Sequence, residues 1–171
     1  MTLFSQYGAF WARFLDLPFA TAISAIVVAM LAAPVTVFLH EVGHWTALKR
    51  FGVTGRIGLF VRRGESRFWW LSVMGVKFDD ADYLTLSRTQ FRIVAASGPA
   101  VDILCCALCL TVGPHLPGPV WLANGIALLG AIYMLVSMLN IVPLPIRNDG
   151  WLVWRPEAAL AKIQPPIETA L

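Results

Sequence analysis

The sequence predicts a mainly α-helical, polytopic membrane protein. It comprises a core of three transmembrane helices, a β-hairpin or small sheet after the first span, and an N-terminal helix lying in the membrane interface. Three observations predict this fold. Of 171 residues, 58% are hydrophobic and 13% charged, whereas a soluble domain carries about 45–50% and about 25%. A globule of that composition lacks the polar surface to face water, and a disordered chain is excluded more firmly still. Three stretches with at most one charge are long enough to test against the roughly 20 residues that a helix needs to cross a 30 Å hydrocarbon core. Finally, the net charge of +3 comes from Lys and Arg distributed unevenly along the chain. That pattern is a topology signal before it is a nucleic-acid signal.

In the head, Phe4, Tyr7, Trp11, Phe14 and Leu15 recur at three- and four-residue steps. Such steps align them on one face of a helix lying along the membrane surface, although a plain aromatic anchor would use the same residues. Residues 17–39 carry no charge and form the first predicted span. With neither a basic n-region nor a small-residue cleavage site, this run is expected to stay in the mature protein. The period then changes. Ile57, Leu59 and Val61 alternate with Arg56, Gly58 and Arg62, and Phe68, Trp70, Met74 and Val76 continue after the turn-like Arg63-Gly64-Glu65-Ser66, predicting a hairpin over about 53–78. Trp69, Leu71 and Val73 make its second strand apolar on both faces, suited to rest on lipid or on the helices. Asp79, Asp80 and Asp82 end the strand as a solvated turn, since no neighbouring oxygen ligands complete a cation site.

Residues 93–112 form the second predicted span, with Asp102 as its one charge, and residues 119–142 the uncharged third. Asp102, Cys105, Cys106 and Cys109 fall on one face of the second span, which reads as packing by small apolar residues rather than as a rival metal site. No repeat or second domain is visible, so residues 1–171 are read as one membrane-embedded domain. Lys49, Arg50, Arg56, Arg62, Arg63, Arg67, Lys77, Arg88 and Arg92 crowd the middle segment, and Arg147, Arg155 and Lys162 the tail. The 113–118 connection has no basic residue except His115, and the head has only Arg13. The chain is therefore expected in a cell membrane with its N-terminus outside and its middle segment and C-terminus in the cytoplasm.

The chemistry begins at the end of the first span, at His40-Glu41-Val42-Gly43-His44. Four residues make slightly more than one helical turn, so both imidazoles of this HExxH pattern lie on one face and can share one Zn²⁺, with Glu41 beside them as general base. Zinc lowers the pKa of its water toward about 7, which supplies a nucleophile at neutral pH. Chance would give this pattern in only about one sequence in a thousand of this length. Histidines and a glutamate at the edge of the hydrocarbon are costly unless paired or ligating, which argues against snorkelling interface residues. His115, in the outer connection, reads as a solvated loop residue. A catalytic zinc usually has three protein ligands. On the cytoplasmic side the third predicted span ends at Asn140-Ile141-Val142-Pro143-Leu144-Pro145, after which Asp149 emerges beside Gly150; Asp149 is the expected third ligand.

Three stretches resemble the site-2 protease family of intramembrane zinc metallopeptidases. His40 to His44 resembles its zinc-binding helix, Ser97-Gly98-Pro99-Ala100-Val101-Asp102 its Gly-Pro motif, and Asn140 to Gly150 its Asn-Pro…Asp-Gly motif. They occur in the family's order, over about Leu17 to Trp151. The resemblance implies that His40, His44 and Asp149 hold zinc, that Glu41 is the general base and that Asn140 helps bind the oxyanion. It also implies a cytoplasmic-side active site and a sheet after the zinc helix. The run from Pro145 to Asp149 is about one residue longer than the family's, and Asp102 stands where the family commonly has Asn. No PDZ domain is expected, and the tail after Gly150 is too polar to span again, so the likeness is to a minimal three-span form.

The expected function is zinc-dependent hydrolysis of peptide bonds in or near transmembrane segments of membrane proteins. The hairpin edge would pair with substrate unwound into an extended strand. The alternative is a catalytically inactive membrane protein that binds metal or a partner; Glu41, which a mere metal binder would not need, favours the enzyme. Nucleic acid is not an expected partner, since the basic residues already have a topological role. No pattern selects an oligomeric state.

Overall fold

A computed structural model describes residues 2–59, 74–144 and 148–157. It is mainly helical: α1 is Leu3–Leu15, α2 Phe19–Arg50, α3 Asp80–Leu84, α4 Arg88–Val112, α5 Val120–Ile141 and α6 Asp149–Trp154, with strands β1 Gly55–Leu59 and β2 Met74–Phe78. Three helices, α2, α4 (with the 3-10 turn Gly113–His115 that follows it) and α5, are long and apolar enough to cross a membrane. This is consistent with a membrane protein. The chain forms two compact units, Met1–Leu39 with Ala100–Leu139, and His40–Pro99 with Asn140–Leu171.

In the first unit small residues let the helices approach. A Cβ on Gly125 of α5 would stand 2.6 Å from the Val28 side chain, and one on Gly130 would stand 2.7 Å from Cys109 Cβ and 3.1 Å from Cys106 O. This is the close approach that apolar helices use in place of a hydrophobic driving force. The Cys106 thiol donates to Gly130 O at 3.2 Å. Cys106 and Cys109 thus serve packing, as read from sequence, and no cysteine joins a group placed to hold a metal among the described residues. Tyr133 Oη and Thr36 Oγ1 donate to Ala33 O at 3.0 and 2.8 Å, next to Pro34, which has no N–H for the ladder. The N-terminal helix forms, but its inward stripe is Leu3, Tyr7, Phe10, Trp11 and Phe14 against the core of this unit. Phe4 and Leu15, assigned to that face from sequence, are 67% and 78% exposed, because the stripe follows a strict helical period centred on Phe10. His115 is exposed in its 3-10 turn, as expected.

The second unit is built round Leu48, Val53, Val76, Tyr83, Leu86, Phe91 and Val94. Helix α2 does not stop at the first predicted span but runs on to Arg50, so His40 and His44 lie within one continuous helix. It ends in a Schellman motif: Val53 N–H donates to Leu48 O and Gly52 N–H to Lys49 O, with Gly52 at φ 80°. The predicted hairpin is present as an antiparallel pair in the register Gly55↔Phe78, Ile57↔Val76 and Leu59↔Met74. Its predicted turn, and the strand residues Val61 and Phe68 to Val73, lie outside the described residues. The acidic run after β2 is more than a turn. The Asp79 carboxylate accepts from Ala81 N–H at 2.9 Å and caps α3. Helix α4 starts five residues before the predicted second span because Ser87 and Gln90 form a capping box, Gln90 N–H to Ser87 Oγ at 3.3 Å and Ser87 N–H to Gln90 Oε1 at 2.9 Å.

Candidate metal centre

Every residue of the site lies in the second unit. One turn of α2 separates His40 and His44 and brings their Nε2 atoms within 3.0 Å, with ring centroids 4.7 Å apart. Two imidazoles so close need room on the facing helix, and Gly98 of α4 supplies it. A Cβ there would collide with His44 Nε2 and would stand 2.6 Å from His40 Nε2. A glycine in mid-helix costs roughly 0.5–1 kcal/mol relative to alanine, so its place here is set by the two rings.

His44 is oriented by the backbone of α4. Its Nδ1 lies 2.7 Å from Val94 O, and Ser97 Oγ donates to the same carbonyl at 2.6 Å. A carbonyl only accepts, so Nδ1 carries a proton and Nε2 is left to face the centre, as in many histidine–metal sites.

Asp149 arrives from a different part of the chain. Asn148 ties the end of α5 to the start of α6: its Oδ1 accepts from Trp151 N–H at 3.0 Å and Leu144 N–H at 3.3 Å, and its Nδ2 donates to Val142 O at 2.7 Å. Asn148 thereby N-caps α6, whose first residue is Asp149. Gly150 permits the approach, because a Cβ there would collide with the Ile141 carbonyl and lie 2.7 Å from Asn140 O. Asp149 Oδ2 then stands 3.2 Å from His40 Nε2, and Oδ1 3.5 Å from His44 Nε2. Asn140 Nδ2 donates to Oδ2 at 2.8 Å.

These separations suit a metal. Nitrogen and oxygen ligands at about 2.0–2.1 Å in a tetrahedron stand about 3.3–3.4 Å apart, and the three measured here are 3.0, 3.2 and 3.5 Å. All the ligand atoms of His40, His44 and Asp149 lie within 4.8 Å of one another. Burial alone would push the Asp149 carboxyl up, but the imidazoles of His40 and His44 within hydrogen-bond reach hold it well below the usual carboxylate range. It is therefore anionic, the form that ligates. Glu41 is buried on the same turn of α2, and its Oε2 accepts from Val76 N–H of β2 at 3.0 Å.

The two histidines and Asp149 converge as read from the sequence, and Glu41 lies beside them. Asn140 is brought to the Asp149 carboxylate, a contact that the sequence reading did not give it. Ser97, the Val94 carbonyl, Val76 and Asn148 were missed as supports of the site. Asn148 alone carried a readable signal, an Asn two residues before a glycine at the start of a helix. Comparisons with known protein families, with curated proteins and with solved structures find no match for this chain.

Proposed function

We propose that this chain is an intramembrane zinc metalloprotease that hydrolyses peptide bonds in or near transmembrane segments of membrane proteins. The observation that carries this reading is the near-tetrahedral spacing of His40, His44 and Asp149 with the Glu41 carboxylate on the same helical turn. Bound zinc would acidify a water and polarise the scissile carbonyl. Glu41 takes the proton from the attacking water and passes it to the leaving amine; the bond from Val76 N–H fixes its Oε2 for that task. Asn140 orients the Asp149 carboxylate and is the candidate donor to the oxyanion.

Exposed Val27, Met30, Leu31 and Val35 on α2, Ile103, Leu104 and Leu108 on α4, and Leu135, Val136 and Leu139 on α5 support placing these helices in lipid. The basic residues of the middle segment and tail support a cytoplasmic-side site. A substrate helix hides its backbone in its own hydrogen bonds and must unwind before attack. The sheet supports a place for the unwound strand, since β2 contacts Glu41 directly.

The test is to incubate the detergent-solubilised, zinc-loaded chain with single-span substrates. Chelator-sensitive cleavage is expected. Glu41→Gln should keep its zinc and lose about 10²–10⁴-fold in rate. A zinc-loaded chain that cuts none of them overturns the reading, and a Glu41→Gln variant that keeps full activity in cells points to the metal- or partner-binding alternative.

A further inference from the structure

The sheet carries two like charges on the face turned away from the core of the second unit. Successive side chains of a strand point to opposite faces. Ile57 and Val76 lie on the core side, so Arg56 of β1 and Lys77 of β2 share the other side, and both are exposed. They are direct partners in the register, with Gly58 and Gly75 as the next pair on that face. Side chains opposed in this way have Cβ atoms about 4.5–5.5 Å apart, and like charges there repel. Asp79, the nearest acid along β2, has its carboxylate on Ala81 N–H. Among the described residues the only carboxylate paired with a lysine or arginine is Glu157, with Arg88 at 3.3 Å. A third cation is linked to the pair through Trp45. The Trp45 indole N–H donates to Gly55 O at 2.9 Å, tying the start of β1 to α2, and Lys49 Nζ lies 5.0 Å from the centroid of the Trp45 ring.

Depth decides which anion this face meets. Helix α2 has 32 residues and at 1.5 Å per residue is about 48 Å long, against about 40–45 Å for a bilayer with its headgroups. A span of that length carries its last turn, with Lys49 and Arg50, to the level of the lipid phosphates. Trp45, one turn earlier, is of the residue type enriched at that boundary. The topology rule asks only that basic residues lie on one side. It does not ask for two of them opposed on adjacent strands, where an acid on either strand would stabilise the sheet. We propose that Lys49, Arg56 and Lys77 form a binding site for the phosphate of an anionic phospholipid headgroup. The proposal rests on the membrane placement of α2 and not on peptide hydrolysis.

The test measures lipid retention by the detergent-solubilised full chain. The chain is incubated with equimolar phosphatidylglycerol and phosphatidylcholine, re-isolated and analysed by native mass spectrometry. Phosphatidylglycerol is expected to be retained in preference, and each unit of positive charge lost from the site should weaken its retention by roughly fivefold. Two variants of equal net charge separate a site from diffuse attraction. Lys77→Glu sets an acid opposite Arg56, so it should lose the lipid while holding or raising the melting temperature in neutral detergent. Arg92→Gln combined with Arg155→Gln removes exposed charge from other elements and should leave retention unchanged. Arg56→Gln gives the same readout should Lys77→Glu not fold. Retention that ignores headgroup charge, or that falls as far in the Arg92 and Arg155 variant as in Lys77→Glu, overturns the proposal. So does capture of inorganic phosphate or of a short oligonucleotide through these residues without retention of lipid. A chain that retains phosphatidylglycerol and cuts no substrate keeps this site and loses the proteolytic reading; one that cuts and shows no lipid preference loses the site alone.

Discussion

Asn140 has two assignments that make different demands on one side chain. As an oxyanion donor it would act on substrate. As the partner of Asp149, with Nδ2 2.8 Å from Oδ2, it acts on a candidate metal ligand. Partners of ligating carboxylates usually contribute 10–100-fold to metal affinity. Asn140→Ala is therefore expected to weaken zinc binding by about that factor, read by competition with a chromogenic chelator. If only kcat falls and zinc affinity is unchanged, Asn140 serves the oxyanion alone. A sequence shows that an Asn lies nine positions before an Asp. Which amide hydrogen meets which oxygen depends on the contacts of Asn148 and Gly150, which combine a side-chain cap with a close backbone approach of no sequence period.

At the scale of elements, the centre depends on how close α4 can come to α2. Gly98 is the contact point, and its replacement sets local helix energetics against site geometry. Alanine should favour α4 by roughly 0.5–1 kcal/mol, as glycine-to-alanine changes in helices do. Its Cβ would nevertheless stand 2.6 Å from His40 Nε2 and closer still to His44 Nε2. Gly98→Ala is thus expected to keep or increase helix content by circular dichroism while losing zinc stoichiometry. Retention of a full zinc equivalent would show that the two helices can separate without cost to the site. Helix content is what hydropathy reads well, and α2, α4 and α5 were all foreseen to within a few residues at one end or the other. The exceptions have local causes. The capping box of Ser87 and Gln90 starts α4 early, and Asp79 turns an acidic run into the start of α3. Both are short-range polar signals that a search for uncharged runs passes over. The hydrogen bond from Val76 to Glu41 joins residues 35 positions apart, and no local pattern announces it.

For the whole molecule, the number of spans carries an argument that no single residue does. Helices α2, α4 and α5 are the candidate spans, and the ligands lie at the end of α2 and just after α5. A chain that crosses on α2, returns on α4 and crosses again on α5 emerges from the first and third crossings on the same side. His40, His44 and Asp149 can therefore share one metal only with an even number of crossings between His44 and Asp149. Loss of either α4 or α5 as a span would leave the ligands on opposite faces, so the convergence of the ligands and the presence of both apolar helices support each other. Which face they share is a separate matter, decided by basic residues. Lys49, Arg50, Arg56 and Lys77 follow the first crossing and Arg155 the third, whereas Arg13 stands alone in the head. If short basic segments stay in the cytoplasm, the centre is expected on that side. A reporter that is active only in the cytoplasm, fused after Leu171, is expected to be active, and one fused before the head inactive. The opposite pair of results would put the centre on the outer face. Equal activity of both fusions would mean an even number of crossings, and would overturn the reading of α2, α4 and α5 as three spans.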